Sequence, residues 1–241
     1  MMAQRLLAWI RHGEYAQPPG VPSAHLPHGL TARGREQAAE AARVIWQFAS
    51  ERGLTLDPSV DCSRLLRAWQ TAELIARQLE ALGSAKLAVK EFDALMERSL
   101  GAAANLSVEQ IEAVLAADPR YGLPPPGWKR DAHHLLPLPG AESLAQAGQR
   151  VARHVRTRMR AVAAATSAST LTLFVAHGGA FRHAASELGL LSASDVQRLT
   201  MQHGAPIFLE YHPARDNDAT AERWVRIAGD WRERLTTAPV D

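Results

Sequence analysis

The chain has 241 residues, of which 46% are hydrophobic and 22% charged, with a formal net charge of +2. That is ample apolar material for one large core and excludes a chain disordered throughout, while the charge is too small to imply nucleic acid as a partner. A single cysteine, Cys62, excludes a disulfide framework and a cysteine-based zinc site.

The residues 1–5 lead straight into an apolar run with no signal-like stretch, and nothing approaches the ~18 apolar residues of a membrane span. A protein of the cytoplasm, without a membrane, is the expectation. Leu6-Leu7-Ala8-Trp9-Ile10 is short and apolar and ends at Arg11-His12-Gly13-Glu14, the pattern of a buried parallel strand. A loop rich in Pro, Gly and His covers 15–29. Thr31 then opens a helix whose Ala38, Ala41, Ile45 and Phe48 keep helical spacing. A second strand is expected at 60–62, a helix at 67–82 with Ala68, Ala72, Ile75 and Leu79 on one face, and a third strand at 87–92.

Residues 98–140 break this alternation with one short helix near 107–117 and the stretch Leu123-Pro124-Pro125-Pro126-Gly127-Trp128. They read as an insertion over the sheet's active edge, with Trp128 a candidate substrate contact. A long helix is expected over 142–166, capped by Glu142 and Ser143. Val151, Val155, Met159 and Val162 form its core stripe, and Arg150, Arg153, Arg156, Arg158 and Arg160 a solvated polar face. A buried strand at 171–176 ends at His177-Gly178-Gly179. Helices at 180–188 and 193–200 and strands at 207–211 and 223–227 complete the chain. Alternating strands and helices predict one α/β domain over 1–241: a three-layer α/β/α sandwich with a mostly parallel central sheet, the insertion lying over the carboxyl ends of its strands.

Ligands of open α/β sheets sit at those carboxyl ends. His12 and His177 each follow such an end, so they can meet in one cleft. Neutral imidazole is a nucleophile and the adjacent Arg11 a phosphate clamp.

Arg11-His12-Gly13-Glu14 resembles the signature of the histidine phosphatase superfamily, which includes cofactor-dependent phosphoglycerate mutases and many phosphatases. Three further stretches match in the family's order: Ser63-Arg64-Leu65-Leu66-Arg67-Ala68-Trp69-Gln70-Thr71-Ala72, Leu95-Met96-Glu97-Arg98-Ser99-Leu100-Gly101, and Val175-Ala176-His177-Gly178-Gly179. Gly140-Ala141-Glu142-Ser143 resembles a weaker block. Together they span nearly the whole chain. The resemblance implies that His12 attacks phosphorus, that Arg11 and Arg67 bind phosphoryl oxygens, and that His177 sits opposite His12 and donates to the same oxygens. It implies Glu97 as the acid that protonates the leaving alkoxide and then the base that deprotonates water. No metal or other cofactor is called for, since arginines carry the electrostatic role.

Further candidate substrate contacts are Gly178, His28, Arg98 and His203, with His25 in the same loop as His28. An Arg98–Glu97 ion pair is the structural alternative to acid–base duty for Glu97. Arg64 reads as a surface residue, Glu14 as a buttress of its loop, His133 and His134 as solvated, and Cys62 as a packed thiol. His183 follows His177 at a spacing poor for zinc.

Mutases of the family follow the first motif with a Trp-Asn pair and a Gly-Trp element. This chain instead reads Glu14-Tyr15-Ala16-Gln17-Pro18-Pro19-Gly20, and its Leu30-Thr31-Ala32-Arg33-Gly34 resembles the Leu-Thr-x-x-Gly stretch of the phosphatase branch. The expected function is metal-independent hydrolysis of small phosphate esters through a phosphohistidine. A mutase-like phosphotransferase, with Arg98 or Lys129-Arg130 on a substrate carboxylate, and a non-catalytic phospho-ligand binding module are the alternatives. Retention of His12, Arg11, Arg67, Glu97 and His177 argues against the last. A homodimer is compatible with the resemblance.

Overall fold

The computed structural model describes residues 3–22, 24–214 and 222–234. Strand β1 (Arg5–Arg11) is buried along its whole length. It leads through the first loop to helix α1 (Ala32–Glu51), which Thr31 starts by accepting the Gly34 N–H on its side chain. Strand β2 (Thr55–Ser63), helix α2 (Leu66–Ala81) and strand β3 (Ala88–Phe92) follow. β2 is nine residues long, not the short segment expected at 60–62. Its register shifts between Leu56 and Val60, and Asp57-Pro58-Ser59 at that irregularity hides its first half from a hydrophobic pattern.

The insertion contributes helix α3 (Val108–Ala117). Then come helix α4 (Leu144–Ala165), strand β4 (Thr170–Ala176), helices α5 (Gly178–Glu187) and α6 (Ala193–Arg198), and strands β5 (Leu199–Thr200), β6 (Pro206–His212), β7 (Arg223–Ala228) and β8 (Arg232–Glu233). β5 and β8 pair as a small antiparallel ribbon, too short to register as periodicity.

The main sheet has the order β3-β2-β4-β1-β6-β7. β3, β2, β4 and β1 run parallel, whereas β6 returns antiparallel to β1 and β7 antiparallel to β6. Pleating divides β1 between two cores. Leu6, Ala8 and Ile10 pack with Ala38, Ile45 and Ile75 of α1 and α2. Leu7 and Trp9 pack with Val151, Val155, Met159 and Phe181 of α4 and α5, Trp9 stacking on Phe181 at 4.7 Å. These are the two outer layers of an α/β/α sandwich.

The insertion has its own apolar cluster of Leu100, Ile111, Leu115, Trp128 and Leu136, joined by Ala24 of the first loop. Trp128 is buried there with its indole N–H donating to Glu112, so it is a core residue of the insertion rather than the substrate contact expected. His134 packs against it at 5.9 Å, while His133 is exposed.

The arginines of α4 do form a polar face open to solvent, Arg153 and Arg160 exposed and Arg150, Arg156 and Arg158 half-buried, but most of them are also paired. Arg158 pairs with Asp57 and Asp61, Arg156 and Arg160 with Glu222, and Arg150 with Glu142; Arg153 alone of the series is exposed without an ion pair among the described residues. Long guanidinium stems lie along the helix and reach acids on neighbouring elements. Ser143 and Gln146 form the capping box of α4. Glu142 does not cap the helix, since its carboxylate accepts the Ser99 N–H and faces Arg150. No described helix is long and apolar enough to cross a membrane.

Candidate active site

β1 and β4 are neighbours in register, with Arg11 opposite Ala176. The next residues, His12 and His177, therefore emerge side by side, and the His12 N–H donates to the Ala176 carbonyl at 2.9 Å. Their ring centroids stand 5.1 Å apart. The end of β2 adds Ser63 and the first turn of α2 adds Arg67. β3 leads through the turn Asp93–Leu95 to Glu97.

His12 Nδ1 lies 2.8 Å from the Gly13 carbonyl. A carbonyl only accepts, so Nδ1 carries the proton and Nε2 keeps its lone pair. Arg67 Nε donates to that Nε2 at 3.2 Å. Burial first, then the charges of Arg67, His177, His203 and Arg11, hold the His12 pKa well below 6.5. The ring is neutral at physiological pH with its lone pair toward the cluster.

His177 answers it. Arg67 Nη2 lies 3.3 Å from its Nδ1, and Ser63 Oγ 2.8 Å from its Nε2. A guanidinium only donates, so here Nδ1 accepts and Nε2 donates to Ser63. Burial, followed by Arg67 and Arg11, holds this imidazole neutral too.

Arg67 has no solvent exposure. Its Nη1 and Nη2 donate to the carbonyls of Leu26 and Ala24 at 3.0 and 2.9 Å, and it lies 4.6 Å over the Tyr15 ring. Arg11 donates to the Met201 carbonyl at 2.9 Å. The paired glycines opening α5 make room for the charged groups. A Cβ on Gly178 would lie 3.1 Å from Arg11 Cδ, and one on Gly179 would lie 2.9 Å from Glu97 Oε1. The Glu97 carboxylate accepts the N–H groups of Gly179 at 3.2 Å and of Arg98 at 2.9 Å. It thus sits at the positive end of the α5 dipole.

The Glu97–Arg98 ion pair is absent among the described residues: Glu97 takes the backbone N–H of Arg98, not its guanidinium. Arg98 is buried, its charge lies 5.9 Å over Trp128, and burial lowers its pKa against the opposing pull of Glu97 and Glu142. His203 Nδ1 donates to the His12 carbonyl at 2.8 Å, its ring 5.1 Å from that of His12. His25 reaches the cluster through its Nε2, 3.1 Å from the Glu97 carbonyl. His28 is half-buried and makes no hydrogen bond or ring contact to the cluster among the described residues.

Several partners were not singled out from the sequence. Ser63 orients His177, Thr71 accepts the Gly13 N–H at 3.0 Å, and Tyr15 lies edge-on to His12 at 5.3 Å. Ser63 and Thr71 stand inside the matched second block, which was the available signal. Arg150 is the largest omission. Its Nη1 donates to the carbonyls of Asp93, Ala94 and Met96, and its other donors meet Glu142, which holds the Ser99 N–H. The two side chains bracket the loop that carries Glu97. Arg64 pairs with Asp93 at the surface, and Glu14 accepts from Thr31.

Buried guanidiniums facing neutral imidazoles form a pocket short of negative charge, the complement of a phosphoryl group. No group of three or more His, Cys, Asp or Glu suited to a metal occurs among the described residues. Known proteins resemble this chain in sequence and fold. The chain is 28% identical over 206 residues to a 2,3-bisphosphoglycerate-dependent phosphoglycerate mutase of Parvibaculum lavamentivorans, covering 85% of this chain and 90% of that one. A mycobacterial glucosyl-3-phosphoglycerate phosphatase superposes with a TM-score of 0.65 at 25% identity, covering 92% of this chain and 97% of that one. A structure described as mycobacterial hydrolase 2 reaches a TM-score of 0.70 at 24% identity, over 98% and 94% of the two chains. Residues 7–224 match the histidine phosphatase superfamily (branch 1). With its paired histidines and their arginines set at the carboxyl edge of the sheet, this chain belongs to that superfamily of enzymes.

Proposed function

We propose that the protein hydrolyses small phosphate monoesters through a phosphohistidine on His12, without a metal. The observation that carries this reading is the His12 ring: Nδ1–H fixed on Gly13, Nε2 unprotonated, and Arg67 directly beside it. As a phosphoryl group enters, Arg67 and Arg11 turn their donors to its oxygens. The Ser63 hydroxyl can donate to His177 Nε2 instead of accepting, which frees Nδ1–H to donate to the same oxygens. His12 Nε2 then bonds to phosphorus, the ester P–O bond breaks, and the leaving alkoxide takes a proton from Glu97. In the second half, Glu97 takes a proton from water as its oxygen bonds to phosphorus and the P–N bond breaks. Arg98 is the candidate for an acidic group on the leaving alcohol, with His203 and Gly178 as further substrate contacts. A reducing compartment, the cytoplasm, suits a chain whose one cysteine, Cys62, is buried.

Mutase chemistry is the second reading, favoured by the names of the curated relatives. Absence of the Trp-Asn and Gly-Trp elements favours hydrolysis, and so does the likeness to a phosphatase structure. Phosphate release from a panel of monoesters, with and without EDTA, decides between them. The expected result is EDTA-resistant release that is lost in His12→Ala. Phosphoglycerate interconversion far faster than phosphate release overturns the hydrolase reading.

A further inference from the structure

The first loop passes the site as the tripeptide Ala24-His25-Leu26, and all three residues take hold of it. The carbonyls of Ala24 and Leu26 accept from Arg67 Nη2 and Nη1 at 2.9 and 3.0 Å. That fork of the guanidinium is engaged by the loop, while the fork of Nε and Nη2 faces His12 Nε2 and His177 Nδ1. The Ala24 side chain packs into the core of the insertion with Leu100 and Trp128, and Leu26 packs with Tyr15 and Leu30. Both chain neighbours of His25 are thus buried and tied down.

His25 itself is bonded to the loop of Glu97. Its Nε2 lies 3.1 Å from the Glu97 carbonyl. A carbonyl only accepts, so Nε2 carries a proton and donates it. Arg150 takes the preceding carbonyl, of Met96, and Glu142 takes the Ser99 N–H. Those two ties reach the loop from the α4 side. Among the described residues, the His25 bond is the only hydrogen bond between Glu97 and the first loop, and no other donor meets that carbonyl.

We propose that His25 is a positioning residue, which sets the Glu97 carboxylate against the phosphoryl group bound by Arg67. The inference rests on the acid–base role proposed for Glu97. Peptide units are rigid planes, so the three residues index the proton donor to the phosphate arginine over a short length of chain. The acid must stand at hydrogen-bond distance from the leaving oxygen as the P–O bond breaks. A misplacement of about 1 Å is enough to cost ~10²-fold in rate. The effect of His25 therefore depends on the leaving group. An alkoxide must be protonated as it departs, whereas 2,4-dinitrophenolate leaves without a proton.

The test compares kcat/KM for glycerol 2-phosphate and 2,4-dinitrophenyl phosphate, since kcat/KM reports the transfer to His12 and not the later hydrolysis. His25→Phe keeps a ring and deletes the donor, and His25→Gln restores an N–H at similar reach. In His25→Phe the glycerol ester is expected to fall about 10–100-fold, while the dinitrophenyl ester stays near its wild-type value. His25→Gln recovers most of the loss. Glu97→Gln shows the same split, only deeper. An equal fall for both esters in His25→Phe, no fall for either, or a split that His25→Gln does not reduce overturns the proposal. A wild type that turns over neither ester, or Glu97→Gln without a split, counts instead against the hydrolase reading or the acid role of Glu97. The placement is then read without turnover, by amide exchange at Arg98 and Gly179, whose N–H groups the carboxylate holds. Faster exchange at either in His25→Phe, with Phe181 of the same helix unchanged, supports the positioning role. Unchanged exchange at both overturns it.

Discussion

Asp57 and Asp61 along β2, and Ser63 at its end, belong to two buried polar clusters with opposite charge balance. In the first, Arg158 donates to Asp57 at 2.6 Å and lies 3.6 Å from Asp61, while His154 meets Asp61 at 2.9 Å. Cation and acid face each other there. In the second, Ser63 orients His177 beside Arg67 and His12, and buried guanidinium charge meets neutral rings and backbone carbonyls. Both clusters are desolvated, but the second sets guanidinium charge beside neutral rings, the arrangement proposed to take a phosphoryl group. A closed network holds elements together, whereas an open one is stabilised by what binds it.

The largest expected effect breaks the open cluster. His12→Ala removes the proposed nucleophile and should lower phosphate release by at least ~10⁴-fold, as for removal of other catalytic nucleophiles. Circular dichroism should show the fold retained. Turnover within tenfold of wild type would remove His12 from the mechanism.

The closed cluster predicts the reverse phenotype. Asp61→Ala takes the acid from His154 and leaves Arg158 with Asp57 alone. Asp61 is fully buried but the Arg158 side chain keeps 24% exposure, so the cost is about 2–3 kcal/mol rather than the larger figure for a fully buried pair. Urea unfolding should record that loss, with kcat per folded molecule unchanged. A fall in kcat with stability intact would mean that the two clusters are coupled through β2.

Arg150 stands between these cases, structural in its bonds and functional in what it places. Arg150→Ala frees the carbonyls of Asp93, Ala94 and Met96 and loosens the loop before Glu97. The expected result is a kcat lower by about 10–100-fold at nearly constant KM, the mark of a displaced proton donor. Recovery in Arg150→Lys should be small, since one ammonium does not reproduce the fork. An equal loss in KM and kcat would assign Arg150 to general stability.

Legibility in the sequence followed the same division. His12 and His177 were legible because each ends an apolar run, and the pairing of those two runs as β1 and β4 does the rest. The strands, helices and sandwich layers follow from periodicity, which reports a face and a period. Where a polar residue works through a distant partner, that signal fails. Asp57-Pro58-Ser59 looked like a break in β2 because its acid is matched by Arg158, 101 positions along the chain. The ion pairs of the α4 arginines were not legible, because periodicity gives their side of the helix and not the acids beyond it. Trp128 read as a substrate contact because the core of the insertion is assembled from separated residues, among them Ala24 of another loop. His25 rather than His28 reaches Glu97, a difference of loop path that composition does not carry.

The smallest effect sharpens the comparison through pH. His12 and His177 have pKa values held well below 6.5 in the fold, chiefly by burial. As pH falls through 6.5 the unfolded chain takes up protons that the folded chain refuses, so stability drops toward acid and this contribution is constant above about pH 7.5. An anion in the open cluster opposes that drop, because it raises the affinity of both imidazoles for a proton. Sulfate keeps its charge across this range and is a suitable probe. Its stabilisation, corrected for its general salting effect with Arg67→Ala, should be larger at pH 5.5 than at pH 7.5. Asp61→Ala alters the other cluster and should leave that difference unchanged. A sulfate effect equal at both pH values would mean that the anion does not engage the paired imidazoles, and the open cluster would then be a structural network like its neighbour.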